Sequence, residues 1–209
     1  MPKYMTIVFD DGPREPMCKI VDKFKSFGFS AGFAVVGDFI NDDTQYMLEY
    51  AVKNGCELAS HSKSHPRLEK LETRNEVTFE LDFPIKEVEE RIGYKITTAR
   101  LPFITFNDEV LDVARELNLA LLGNGIDGGS DWDNNSTPEF IANAVLSTAC
   151  DGAVACLHVT ERTLLALDKI LPELKERGYV LVTPSKLFEI KGLKEIPLGI
   201  NINNVNEFV

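Results

Sequence analysis

The sequence contains no long hydrophobic stretch, no leader-like opening and few cationic residues. No apolar run approaches the ~18 residues of a transmembrane helix, so no membrane span is predicted. The chain does not open with a basic segment followed by an apolar core, so no signal peptide is predicted. Only 22 Lys and Arg residues stand against 33 Asp and Glu residues, which gives a formal net charge of −11. This balance disfavours nucleic acid as a partner, because phosphate binding depends on cationic side chains.

Cysteine is scarce and its spacing is not that of a metal cluster. The four cysteines, Cys18, Cys56, Cys150 and Cys156, form no C-x-x-C pair, which argues against a zinc cluster or a dense disulfide framework. The rest of the composition is ordinary for a globular protein, with 209 residues of which 44% are hydrophobic. This length predicts one domain, or at most two small ones, that can bury a core without a disulfide or metal.

Short apolar runs alternate with amphipathic segments along the chain. Seven strands are predicted, at residues 4–9, 31–36, 57–60, 97–100, 119–122, 153–157 and 179–182. Six helices are predicted, at residues 14–27, 44–53, 73–91, 109–117, 138–149 and 164–177. Pro84 is expected to break or kink the third helix. The alternation is typical of βαβ units, so we expect one parallel α/β barrel or open sheet. The Asn-rich tail, residues 192–209, either adds an edge strand at 200–202 or crosses the surface.

Chemically capable residues lie directly after the predicted strands. Parallel α/β folds place their active sites at the carboxyl ends of strands. All three histidines, His61, His65 and His158, lie at such ends. Asp10 and Asp11 follow the first strand, and their side chains point in different directions, so one can bind a metal while the other faces substrate. Two imidazoles and a carboxylate are a common ligand set for Zn²⁺ or a similar divalent ion.

Each of these features has a structural alternative when it is taken alone. Asp-Asp-Gly-Pro after a strand is favourable turn sequence. Arg100 is as compatible with a surface salt bridge as with a functional role. Asp131 is compatible with a loop cap, Trp132 with a core aromatic and His158 with a buried structural histidine. A serine nucleophile is not predicted, because the serines between the first two histidines lack a G-x-S-x-G context.

Taken together and in order, the motifs FDDG, HSxxH, RxPF, DW and LH resemble the NodB-like polysaccharide deacetylases, carbohydrate esterase family 4. The resemblance covers residues 4–190. It implies an α/β fold, a distorted (β/α)7-8 barrel in a single domain over residues 1–209, with an irregular tail at 192–209. It also implies a divalent metal ion, with Zn²⁺ expected and Co²⁺, Ni²⁺ or Mn²⁺ as alternatives. The expected partner is an acetylated glycan, bound by a monomer.

The resemblance further implies a role for each motif residue. The metal ligands are three side chains, Asp11, His61 and His65. The catalytic residues are Asp10 as general base, His158 as general acid, Arg100 orienting the base, and Asp131 holding that arginine. The residues on the substrate side are Phe103 through its backbone N–H, Trp132 as an aromatic wall, and Leu157. The last motif departs from the usual Leu-x-His, since it reads Cys156-Leu157-His158, and Asp127 in the DGGSDW loop has no assigned role.

The expected reaction is removal of acetyl groups from a peptidoglycan-type or chitin-type N-acetylglucosamine polymer, with acetylxylan as the alternative substrate. A catalytically inactive carbohydrate-binding homologue is disfavoured because every catalytic position carries a competent residue. A metal phosphohydrolase built on Asp10 and Asp11 is disfavoured because these two residues are adjacent and do not form the D-x-D motif of aspartyl-phosphate enzymes. The family is mostly exported, whereas no signal peptide is predicted for this chain. The chain is therefore expected to be either a trimmed catalytic domain or an intracellular enzyme.

Overall fold

A parallel β-sheet forms the centre of the protein. The structure is a computed structural model that describes residues 2–193 and 197–209, so part of the predicted tail, residues 194–196, lies outside the described residues. The strands are β1 (Lys3–Gly12), β2 (Gly32–Val35), β3 (Glu57–Ser60), β4 (Thr98–Ala99), β5 (Ala120–Leu122), β6 (Ile126–Asp127), β7 (Val154–His158), β8 (Tyr179–Leu181) and β9 (Asn201–Ile202). They pair in the order β6-β7-β1-β2-β3-β4-β5-β9, and β8 also pairs with β1. No ladder joins β6 to β9 within the described residues, so the barrel is incomplete. The predicted α/β barrel-type fold is confirmed.

Helices connect the strands and pack against the sheet. They are α1 (Met17–Phe27), α2 (Gln45–Lys53), α3 (Arg74–Ile92), α4 (Asp108–Glu116), α5 (Pro138–Thr148), α6 (Glu161–Glu176) and α7 (Pro184–Ile190). The six predicted helices are all present, whereas α7 and the short strand β6 were not predicted. None of the helices in residues 2–193 and 197–209 has both the length and the hydrophobicity that crossing a membrane requires.

The helix α3 continues through Pro84, so the expected break is wrong. A capping box begins the helix, with the Thr73 side chain accepting from the Glu76 backbone and Glu76 accepting from the Thr73 backbone. The buried side chains of Val77 and Leu81 hold the helix against the core on the amino-terminal side of the proline. Tertiary packing therefore outweighs the hydrogen bond that proline cannot make.

Strand β1 organises the sheet because it pairs with three other strands. Its register sets Phe9 opposite Phe33 of β2 and Asp10 opposite His158 of β7. Side chains alternate across a strand, so Phe9 packs among the helices while Val8 faces the inside of the barrel. Asp10 shares the inner face with Val8. The pairing of β1 with β7 therefore brings Asp10 and His158 close together.

The tail, residues 197–209, bridges the two sides of the incomplete barrel. Strand β9 pairs with β5, which confirms the predicted edge strand. One residue later, the Asn203 carbonyl accepts a hydrogen bond from Val154 of β7 at 2.9 Å. The backbones approach so closely that a Cβ at Gly125 would lie 2.1 Å from the Asn203 oxygen. Ile202 is fully buried in the inner cluster that also contains Leu187 of α7.

If the tail is an integral part of the barrel, Ile202→Ala should lower the free energy of unfolding by about 2–5 kcal/mol, the usual cost of removing a buried isoleucine side chain. Ile200→Ala is the matched control, because Ile200 is 45% exposed and should change stability by less than about 0.5 kcal/mol. Urea unfolding monitored by circular dichroism measures both. Equal, small effects would show that the tail is only loosely attached.

Candidate active site

A cleft of about 550 Å³ opens at the carboxyl ends of β1, β3 and β7. Its lining includes the side chains Asp10, Asp11, His61, His65, Phe103, Trp132, Cys156 and His158. The strand ends predicted from the sequence therefore converge on one cleft. Arg100 follows β4 and lies beneath this surface, fully buried.

Three side chains in the cleft form a ligand set for a metal ion. Asp11 Oδ1 lies 3.6 Å from His61 Nε2 and 3.5 Å from His65 Nε2. One ligand atom from each of the three residues lies within 4.8 Å of the others. Left-handed backbone at Asp11 (φ 65°) and His65 (φ 59°) turns the chain so that these side chains face one another. A carboxylate with two imidazoles suits Zn²⁺ and similar divalent ions.

Neighbouring groups orient the His61 imidazole, anchor the His65 backbone and favour the neutral form of the His65 ring. His61 Nδ1 donates to the Arg100 carbonyl at 2.7 Å, which leaves Nε2 free to act as a ligand. The His65 backbone N–H donates to Ser62 Oγ at 2.9 Å. Burial, and then the neighbouring His61, lower the pKa of His65. A lower pKa favours the neutral imidazole of His65, which is the form that binds a metal.

Asp10 forms a buried ion pair beside the ligand set. Its Oδ1 lies 3.5 Å from Arg100 Nε, and its Oδ2 accepts from the Cys156 thiol at 3.3 Å. Burial is the largest single effect and would lower the pKa of Arg100, but the Asp10 carboxylate and Cys156 together outweigh it and raise the pKa, so the guanidinium stays charged. Asp10 Oδ1 and two nitrogens of Arg100 have no hydrogen-bond partner among the described residues. Unpaired buried polar atoms are uncommon in proteins and mark positions with a further role.

His158 is paired with Asp131, so the expected contact between Asp131 and Arg100 is wrong. His158 Nδ1 lies 2.7 Å from Asp131 Oδ1, and the His158 backbone N–H donates to Oδ2 at 2.6 Å. Burial alone would lower the pKa of His158, but the hydrogen bond to Asp131 and the nearby charge of Asp10 outweigh burial and raise it. The Thr163 hydroxyl also donates to Asp131 Oδ2, at 2.6 Å. Asp131 is thus fully engaged on the β7 side of the cleft, away from the arginine.

The assignment of Leu157 to the substrate side is also wrong. Leu157 is fully buried and packs against Gly128, where an added Cβ would lie 2.3 Å from its Cδ2. Alternation along β7 instead turns Cys156 and His158 towards the cleft. Counting back two residues from His158 would have identified Cys156. Burial raises the pKa of the Cys156 thiol well above its usual range, so this thiol is a neutral donor.

Two exposed aromatic rings flank the cleft. Trp132 is 66% exposed and Phe103 is 50% exposed. The centroid of the Phe103 ring lies 4.8 Å from that of the His65 ring and 4.4 Å from the Arg67 guanidinium. Asp127 also lines the cleft, and its Oδ1 accepts from Gly129 N–H at 2.9 Å, so it shapes the loop that carries Trp132. Exposed rings beside a polar cleft suit a ligand with both apolar and polar faces.

Comparison with known proteins assigns the chain to a family. A family model described as polysaccharide deacetylase matches residues 1–122. The chain is 32% identical over 200 residues to a peptidoglycan-N-acetylglucosamine deacetylase of Bacillus cereus, covering 90% of each protein. The chain belongs to the polysaccharide deacetylase family. Other curated relatives are longer, and the chain spans 31% of one and 39% of another.

Two solved structures, a CE4 domain and a family 4 esterase, share the fold of this chain. The Xyl-CE4 domain of a multidomain xylanase, from the hindgut metagenome of Trinervitermes trinervoides, has a TM-score of 0.91, with 27% identity and 99% of both chains covered. A family 4 acetyl xylan esterase from Clostridium thermocellum, in complex with a cobalt ion, has a TM-score of 0.89 and 27% identity. The match covers 97% of this chain and 99% of that one.

The geometry separates the candidate metal ligands from Asp10 beside them. His61→Ala removes one of three ligands and should abolish binding of Zn²⁺, whereas Asp10→Asn should retain the ion, because Asp10 pairs with Arg100 instead. Elemental analysis of each variant, after incubation with Zn²⁺ and removal of free metal, measures the bound ion. Equal metal loss in both variants would contradict this division between Asp10 and Asp11.

Proposed function

We propose that the protein is a divalent-metal-dependent hydrolase that removes acetyl groups from a glycan. The favoured substrate is an N-acetylglucosamine polymer of the peptidoglycan or chitin type, which the similarity to the Bacillus cereus enzyme supports. Acetylxylan is the alternative, which the similarity to the two xylan-related structures supports. The observation that carries the proposal is the meeting of one metal-ligand set, one buried carboxylate and one carboxylate-bound histidine in a single cleft.

The three ligand side chains fit a divalent ion by their chemistry and by their proximity. Asp11, His61 and His65 offer one oxygen and two nitrogens, and His61 is already oriented through its other ring nitrogen. The chemistry that such an ion supplies when bound is polarisation of an acyl carbonyl and a lowered pKa for a water molecule. Zn²⁺ is proposed first, with Co²⁺, Ni²⁺ or Mn²⁺ as alternatives, and the cobalt-bound relative supports a divalent ion.

In this proposal Asp10 is the general base. Its Oδ2 lies 4.0 Å from His61 Nε2, on the side of the proposed ligand set, and can accept the proton of an attacking water. The buried Arg100 guanidinium faces Oδ1, and the Cys156 thiol donates to Oδ2, so the carboxylate keeps one orientation. The backbone N–H of Phe103 is proposed to donate to the oxygen on which charge develops.

His158 is the proposed general acid. Its Nδ1–H donates to Asp131, so in the imidazolium form Nε2 carries a second proton that can pass to a leaving nitrogen or oxygen. Because the pKa of His158 is raised, a larger fraction of the imidazole is protonated near neutral pH. An amide nitrogen leaves poorly without a proton, so the acid is needed most for N-acetyl substrates. Trp132 is proposed to cover one side of the reacting sugar.

The direct test of the function is acetate release, measured side by side on chitooligosaccharides, peptidoglycan fragments and acetylated xylan with Zn²⁺ supplied. We expect the wild-type protein to release acetate and Asp10→Asn to be slower by ~10²-fold or more, the size of a lost general base. Absence of acetate from all three glycans would contradict the proposal. Turnover of p-nitrophenyl phosphate without acetate release would favour a phosphohydrolase instead.

The role of His158 predicts a dependence on the leaving group. His158→Ala should slow deacetylation of an N-acetyl sugar far more than hydrolysis of p-nitrophenyl acetate, because p-nitrophenolate leaves as an anion without a proton. Steady-state rates on the two substrates give the ratio. An equal loss on both would indicate that His158 binds or orients the substrate instead of donating a proton.

The pair of His158 and Asp131 predicts a shift in the pH profile. Activity should fall on the alkaline side as His158 deprotonates, and Asp131 raises the pKa at which this occurs. Asp131→Asn removes the charge that stabilises the imidazolium, so the alkaline limb of kcat should move to lower pH. Rates measured from pH 5 to 10 on a glycan substrate report the shift. An unmoved limb would assign the acid to another group.

A further inference from the structure

Hydrogen bonds behind Asp131 connect the first turn of α6 to His158. Thr163 is fully buried, and its hydroxyl donates to Asp131 Oδ2 at 2.6 Å. Its oxygen lies 2.8 Å from Thr160 Oγ1, so Thr160 is the donor there, since the Thr163 proton is already used. Thr160 is also the N-cap of the helix, because its side chain accepts from the Thr163 backbone N–H at 3.1 Å. The cap of α6 therefore extends through Thr163 to the carboxylate of Asp131.

The backbone around Asp131 is anchored from the same turn. Arg162 Nη1 donates to the backbone carbonyls of Asp131 and Asp133, at 3.2 and 3.0 Å. Three donors among the described residues then orient the Asp131 carboxyl group, and two of them, Nδ1 and the backbone N–H, belong to His158. The third is the Thr163 hydroxyl, so it is the contact that ties this carboxylate to another element of the fold.

We infer that Thr163 is a positioning residue that acts on His158 through Asp131, an inference that rests on the proposed role of His158 as general acid. Without the hydroxyl, Asp131 Oδ2 keeps the His158 backbone N–H alone, and the plane of the carboxylate is less constrained. A carboxylate that turns away from Nδ1 no longer orients the imidazole. Proton donation depends on that contact, whereas attack by water depends on Asp10. Loss of the hydroxyl should therefore slow substrates according to their leaving group.

Thr163→Val is nearly isosteric and removes only the hydroxyl, and Thr163→Ser restores it. We expect Thr163→Val to lower kcat on an N-acetyl glycan by about tenfold while lowering hydrolysis of p-nitrophenyl acetate much less. Thr163→Ser should recover most of the loss. Thr148→Val, at an exposed position on α5, is the matched control and should change neither rate. Thermal unfolding of each variant reports whether the fold is retained.

A double variant tests whether the effect passes through the imidazole. In a His158→Ala background the acid is already absent, so Thr163→Val should cause no further loss on the N-acetyl glycan. A further tenfold loss in that background would show that Thr163 acts by another route and would overturn the inference.

The remaining outcomes separate this inference from the proposed function. Equal losses on the two substrates, or no recovery with serine while the fold is retained, would overturn the positioning role and leave the function standing if the wild-type protein releases acetate. Absence of acetate release by the wild-type protein from every glycan would overturn the function, and the role of Thr163 with it.

A separate pair of hydrogen bonds holds the loop between two candidate metal ligands. Glu80 of α3 is 9% exposed, its Oε2 accepts from the Ser64 backbone N–H at 2.8 Å, and its Oε1 accepts from the Ser64 hydroxyl at 2.7 Å. Ser64 lies directly before His65, which has left-handed backbone (φ 59°). Both oxygens of one buried carboxylate thus hold the residue that precedes a candidate ligand.

The geometry points to Glu80 as a positioning residue for the proposed metal site, on which this second inference rests. Left-handed backbone is unfavourable for a residue with a side chain and persists where neighbouring contacts enforce it. At His65 the enforcing contacts are the Ser62 hydroxyl, which accepts from the His65 N–H, and Glu80, which holds Ser64. Without Glu80 the loop can relax and carry the His65 imidazole away from the other two candidate ligands.

The affinity for Zn²⁺ tests the role of Glu80 without any measurement of activity. Glu80→Ala removes both acceptors and should raise the Kd for Zn²⁺ about tenfold, as loss of an outer partner of a metal site does. Glu80→Gln should retain most of the affinity, because its amide can accept from the Ser64 N–H and donate to the Ser64 hydroxyl oxygen. Glu90→Ala, at an exposed position on α3, is the matched control. Competition with a chromophoric chelator measures each Kd.

Ser64→Ala removes one of the two hydrogen bonds and tests the same contact with a smaller expected rise in Kd, should Glu80→Ala fail to fold. An unchanged Kd in the folded variants, or an equal rise in Glu80→Gln and Glu80→Ala, would overturn the positioning role of Glu80. Absence of Zn²⁺ binding by the wild-type protein would overturn the proposed metal site, and the role of Glu80 with it.

Discussion

The register between β1 and β7 is the constraint on which the candidate site depends. It sets Asp10 opposite His158 on the inner face of the barrel. A slip of β1 by one residue would turn Asp10 towards the helices and bring Phe9 to the cleft, and a slip of β7 would do the same with His158 and Leu157. The tight packing of those two apolar side chains outside the barrel therefore also fixes the polar groups within it. Core packing and chemistry are specified by the same alternation.

Two separate ion pairs then give the base and the acid of the proposed reaction different surroundings. Asp10 faces a fully buried arginine, whereas His158 rests on Asp131, which is itself held by Thr163. Asp10 and His158 have different partners, so the carboxylate near the candidate metal ligands and the imidazole across the cleft are positioned independently. A group that accepts a proton and a group that donates one can then operate at the same pH.

Much of this arrangement was predictable from the sequence, because strand ends in parallel folds converge. The placing of His61, His65 and Asp11 in one cleft follows from that rule alone. The partner of Asp131 was not predictable, since sequence order does not show which strand end lies nearest across a barrel. Leu157 was misassigned by adjacency to His158, although the two-residue period of a strand indicates Cys156. Helix α7 and strand β6 are too short to be predicted from the hydrophobic periodicity of the sequence.

In the proposed function, deacetylation depends on a single divalent ion held by Asp11, His61 and His65. Protein stripped with a chelator can be titrated with Zn²⁺ while bound metal and acetate release are measured on the same samples. We predict that acetate release rises in proportion to bound Zn²⁺, stops rising at one ion per chain, and is absent in His65→Ala. Full acetate release in excess chelator, with no metal found by elemental analysis, would contradict the account.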